Sequence, residues 1–205
     1  MSASTSHRLY GRSTSIVFCA LSIAFMAVSA WITIPFGPIP FTLQTLAVMF
    51  VLFALRPKEA MAAIAGYLIL GALGLPVFSS FRGGIAALVG PTGGFIVGFL
   101  IAGAIALAVG ALVKDKGVFS SENTKSVFGT PIKTGTLARN LAMGVVFLVV
   151  LYAFGWAWLM YVGQLSAEAA FVAAVAPFIP IDVLKMLAAV LPFTLAPMHL
   201  QPNLL

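Results

Sequence analysis

Residues 179–197 read IPIDVLKMLAAVLPFTLAP, an apolar run broken by one carboxylate, Asp182, and one ammonium, Lys185. Nothing charged follows as far as Met198, so the segment reads as a helix through a membrane, from about 180 to 197. Each charge costs several kcal/mol in hydrocarbon and persists there when it pairs, faces a cavity or binds something. The i, i+3 spacing puts both side chains on one helix face, pointing together into the protein. The alternative is that the two merely satisfy each other.

Working outward, the rest of the chain has the same character. Hydrophobic residues make up 61% and charged residues 8% of its 205 positions, against roughly 45–50% and 25% in soluble domains. With a mean hydropathy of +1.12, this is the composition of an all-α integral membrane protein of one domain. Proline and glycine divide the apolar runs. Residues 15–34 form a first span, ended by the Pro-rich, non-helical loop IPFGPIPF (34–41). Two shorter runs at about 42–55 and 59–74 are joined by the turn RPKE, and a Gly-rich stretch, 74–94, follows. Further spans lie at about 93–113 and 136–162, and Pro177 and Pro180 precede the last helix. Six transmembrane helices in a membrane domain of 15–197 are expected, between polar cytoplasmic tails at 1–14 and 198–205.

Charge orients this arrangement. With both termini cytoplasmic, the inner side carries Arg8, Arg12, Arg56, Lys58, Lys114, Lys116, Lys125, Lys133 and Arg139, and the outer loops carry Arg82 alone. That is the positive-inside pattern of a multi-pass plasma-membrane protein. The net charge of +6 suits anionic lipid headgroups and not nucleic acid. The last helix then starts at the outer face, and Asp182 and Lys185 lie in the outer half of the membrane. Arg82 stands in the outer loop, in SSFRGG. Together with Asp182 and Lys185 it sums to +1, a complement for a monoanionic solute. Thr42, Gln44 and Thr45 follow the prolines and either line the same cavity or cap the helix that begins there. Trp31, Phe36, Phe41, Phe78 and Phe81 wall a ligand or form the aromatic belt of the interface.

Small residues mark packing. Gly90, Gly94, Gly98, Ala102, Ala106 and Gly110 recur every fourth position, a stripe that lets helices approach closely within the chain. Ala20 and Ala24 make a shorter stripe in the first span. Enzymatic signatures are missing: GPTGG lacks the lysine of a phosphate loop, no H-E-x-x-H or G-x-S-x-G occurs, and His7 and His199 are terminal. Cys19 is the single cysteine. No metal or cofactor is expected. A small protein with no energy source of its own and a charged outer pocket fits a membrane solute-binding subunit.

At these residues the chain resembles the BioY family, the biotin-specific substrate-binding (S) component of energy-coupling factor (ECF) transporters. The stretches that carry the resemblance are IPFGPIPFTLQTLAV (34–48), GYLILGALGLPVF (66–78), GGIAALVGPTGGFIVGF (83–99) and PFIPIDVLK (177–185). It implies a six-helix fold, an outward biotin pocket closed by the first and third loops, and ligand positions at Arg82, Asp182 and Lys185. It also implies a transmembrane coupling protein with two cytoplasmic ATPase subunits as partners, met through Ala20 and Ala24. Three alternatives are an S component for another small anionic vitamin, a membrane enzyme using Asp182 and Lys185 for acid–base work, and a stand-alone carrier that needs no ATPases.

Overall fold

The computed structural model describes the backbone of residues 3–115, 124–127 and 130–195, and the side chains of residues 13–113 and 135–193. The stretch expected as a C-terminal tail, 198–205, lies outside the described residues. Helix α1 (Ala3–Trp31) begins well before the expected start of the first span, taking in positions expected as polar tail. Its apolar part is Ser13–Trp31. Met26, Ala27, Ser29 and Ala30 are buried on one face, while Val17, Phe18, Leu21, Phe25 and Val28 are exposed on the other. Thr33 ends the helix by donating its hydroxyl to the Ala30 carbonyl at 2.6 Å.

Pro35, Pro38 and Pro40 exclude a helix from the next segment. It forms a two-residue antiparallel ribbon, β1 (Thr33–Ile34) with β2 (Phe41–Thr42), whose tip buries Ile39. Helix α2 (Gln44–Ala54) stops where Leu55 and Arg56 become extended, as the residue before a proline prefers. Pro57 then opens α3 (Pro57–Ala72), so α3 starts two residues before its expected position at 59. Gly74, at φ +105°, takes the conformation that closes a helix end and would strain any other residue. After a tight turn at Ser79–Phe81 and the short α4 (Ile85–Val89) comes α5 (Gly93–Asp115). A ribbon of β3 (Thr124–Val127) and β4 (Thr130–Lys133) leads to α6 (Thr134–Gly163). Then follow α7 (Ala167–Ala174), capped by Ser166, and α8 (Ile179–Leu195), bent 44° from α7.

The small-residue stripe packs within the chain, against α6. A Cβ at Gly94 would run into Trp158 and one at Gly110 into Met143, while at Gly98 it would sit 3.1 Å from Leu151. Ala102 and Ala106 are fully buried in the same seam. Lipid tails are as apolar as leucine, so close van der Waals contact holds such helices together, and this stripe maximises it.

Among the described residues, three helices are long and apolar enough to cross a membrane: Ser13–Trp31, Gly93–Val113 and Gly135–Gly163. The bent pair α7–α8 makes a fourth if it is one span. Helices α2 and α3, of 11 and 16 residues, are shorter than a bilayer core requires. One end of the molecule gathers the β1–β2 ribbon, the Ser79–Phe81 turn and the starts of α2, α5 and α8. The other gathers the α2–α3 turn, the β3–β4 ribbon and the start of α6.

Candidate functional site

Asp182 sits in the first turn of α8, where the unpaired amides favour a carboxylate. One helical turn on, Lys185 Nζ lies 2.7 Å from Asp182 Oδ1. The second carboxylate oxygen accepts the Tyr152 hydroxyl from α6 at 2.8 Å. Both charged side chains are over 90% buried, at 4% and 8% exposed. This trio therefore joins α6 to α8 and balances its own charge. A carboxylate offers about four lone-pair positions and an ammonium three donors. Asp182 thus keeps acceptor capacity and Lys185 keeps donors for an occupant.

The trio lines a cavity at the ribbon end of the molecule, with about 530 Å³ of empty space, its open mouth included. Phe95, Ile96, Phe99, Leu151 and Phe178 give it an apolar wall. Thr42, Gln44, Thr45, Ser79 and Thr92 bring hydroxyls and an amide from β2, α2, the Ser79–Phe81 turn and the approach to α5. Ile39 and Pro40 of the ribbon cover it. Irregular backbone at such a position is tolerated because it lines a cavity and is buried in protein.

Five residues expected from the sequence, Asp182, Lys185, Gln44, Thr42 and Thr45, meet in this cavity. Thr42 does two jobs, since its hydroxyl oxygen also accepts the Gln44 backbone N–H at 3.3 Å. Arg82 does not line the cavity. It is exposed, and donates to the Ser79 carbonyl and hydroxyl oxygens, each at 3.3 Å. Ser79 lines the cavity, so Arg82 stands one side chain away from it. Ala20 and Ala24 lie exposed on the outward face of α1. The five loop aromatics stay out of the cavity lining. Phe41 stacks at 4.3 Å behind Phe178, Trp31 stacks on Phe81 at 5.1 Å, and Phe78 packs edge-on against Tyr67.

Sequence reasoning missed Tyr152, Tyr67, Ser79 and Thr92. For the tyrosines a signal existed: a phenol in the middle of an apolar span must find a hydrogen-bond partner. Nothing in the sequence says which partner, because that depends on how α6 and α3 are rotated.

A family model, the BioY family, matches residues 2–201. The chain belongs to the BioY family. Among BioY relatives, "Biotin transporter BioY" of Thermotoga maritima is 36% identical over 176 residues, 86% of this chain and 91% of the relative. "Probable biotin transporter BioY" of Pyrococcus horikoshii is 36% identical over 181 residues, 88% of this chain and 94% of the relative. The fold is similar to the crystal structure of the S-component for biotin from an ECF-type ABC transporter. The TM-score is 0.72 at 24% identity, with 89% of each chain covered. This BioY-family chain is thus a membrane protein with an S-component fold.

Proposed function

We propose that this chain is a biotin-binding S component, taking biotin from the outer side of the plasma membrane and delivering it with an ATPase-driven coupling module. The observation that carries this reading is the cavity built on Asp182, Lys185 and Tyr152 at the ribbon end. Of the basic residues expected inside, Arg56 and Lys58 stand at the α2–α3 turn, Lys114 at the end of α5, Lys125 and Lys133 in the β3–β4 ribbon and Arg139 near the start of α6, all away from the cavity. The positive-inside rule then turns the cavity outward and favours a six-pass chain with both termini inside. The short α2 and α3 fit such a chain if the ribbon and the Ser79–Phe81 turn fill the outer leaflet above them.

The chemistry of biotin suits the cavity. Its ureido ring has two N–H donors and one carbonyl acceptor, its bicycle is apolar and its valerate is anionic. The Asp182–Lys185 pair is neutral overall, so it matches the neutral ureido head: Lys185 donates to the carbonyl and Asp182 accepts an N–H. The aromatic wall takes the bicycle. The valerate extends to the mouth, toward Arg82, which pairs with no carboxylate among the described residues. Members named biotin transporters favour this over acid–base catalysis by Asp182 and Lys185. Ala20 and Ala24, uncovered on α1, form the surface for the coupling protein, which carries two ATPase subunits. Equilibrium binding of labelled biotin to the purified protein tests the reading, and a folded protein that binds none overturns it.

A further inference from the structure

Gln44 and Tyr67 fix each other's orientation, and this gives the cavity a selectivity its lining alone does not reveal. Tyr67 is fully buried in α3 and lines no part of the cavity. Its hydroxyl lies 2.8 Å from the Val77 carbonyl and 2.8 Å from Gln44 Nε2. A carbonyl only accepts, so the single phenolic proton goes to Val77. Toward Gln44 the phenol oxygen is then an acceptor, and the amide must turn its NH₂ to it. Shape does not distinguish the two ends of a glutamine amide, but this network does. Gln44 Oε1 is therefore the end left for the cavity, and among the described residues nothing donates to it. Gln44 is only 5% exposed. The oxygen faces the open cavity, so a solute that displaces water there must bring a donor of its own or leave the acceptor unpaired.

We infer that Tyr67 is a positioning residue for selectivity: without touching the solute, it holds Gln44 as an acceptor that demands an N–H from the bound head group. This rests on the reading of the cavity as the biotin site. An analogue that presents a ring oxygen in place of that N–H sets two acceptors against each other and is rejected. If Tyr67 cannot hold the amide, Gln44 turns, offers its NH₂, and the rejection disappears.

The test is equilibrium binding of biotin and of its two cyclic carbamate analogues, in each of which one ureido N–H is replaced by oxygen. Wild type, Tyr67→Phe and Gln44→Met are compared. Wild type is expected to bind both analogues at least about tenfold more weakly than biotin, one through the N–H lost to Asp182 and the other through the N–H lost to Gln44. In both variants the ratio for one analogue is expected to fall toward one while the ratio for the other is kept. A purely structural role for Tyr67 would weaken all three ligands in parallel, and two unchanged ratios in Tyr67→Phe overturn the inference. If Tyr67→Phe does not fold, Gln44→Met decides alone, two unchanged ratios again counting against it. Wild-type protein that binds no biotin overturns the biotin reading, and this inference with it. Biotin binding without discrimination overturns the inference alone.

Discussion

The Asp182 carboxylate is gripped from both oxygens, by Lys185 on its own helix and by Tyr152 across the bundle. Replacing it with asparagine keeps the shape but removes the charge-assisted acceptor. Asp182→Asn is expected to lose about 1.5–3 kcal/mol of biotin binding, roughly 10- to 150-fold in affinity. A titration with labelled biotin measures this directly. Arg82 makes a different prediction because it stands at the rim, exposed and bonded to Ser79. Arg82→Ala should weaken binding of free biotin more than that of biotin amide, if the guanidinium reads the carboxylate. Equal losses for both ligands would assign Arg82 to holding the Ser79 turn. The i, i+3 charge pair was legible from the sequence because a helix leaves few choices for residues three apart. Tyr152 was not, because it lies 30 positions from Asp182 and only the packing of α6 on α8 brings it there.

Element boundaries were legible wherever proline or glycine set them. Pro57 opens α3 and Gly74 closes it, whereas α1 ends at Trp31, ahead of the expected stop at Pro35, because Thr33 and Ile34 pair as β1. The β1–β2 ribbon was foreseen only as a non-helical loop, since two paired residues on each side leave no periodic signal. Likewise, the Gly90–Gly110 stripe announced close packing, but its partner α6 had to be observed. Helix α1 uses its faces differently. It is tied to α3 by the Ser15 hydroxyl, which donates to Glu59 at 2.6 Å, and to the segment after α3 by Trp31, which donates to the Pro76 carbonyl at 2.7 Å. Ala20 and Ala24 on the outer face are open to a neighbouring helix. Replacing both with tryptophan should block close approach there without entering the cavity. Pull-down of the coupling protein is expected to be lost while biotin binding stays intact. Loss of binding and of protein level together would show that this face supports the fold.

At the scale of the whole molecule, the cavity and the basic segments define two ends, and function follows from which end faces outward. In a Cys19→Ser background, Phe36→Cys at the ribbon tip should react with an impermeant thiol reagent in intact cells. Lys58→Cys at the α2–α3 turn should react only after the membrane is opened. The reverse pattern would turn the cavity inward and remove its role in uptake. The central claim, that the buried Asp182–Lys185–Tyr152 cavity holds biotin, is tested most directly by one comparison. Labelled biotin is titrated into wild type and Lys185→Met, both purified and shown to be folded by their thermal unfolding. Lys185→Met keeps the aliphatic stem and leaves the buried Asp182 charge with Tyr152 alone, a change that costs on the order of 3–5 kcal/mol when a buried pair is broken. Saturable binding of one biotin per wild-type chain, lost in folded Lys185→Met, is the predicted result. Wild-type affinity in the folded variant would contradict the account and leave Asp182 and Lys185 as an internal ion pair.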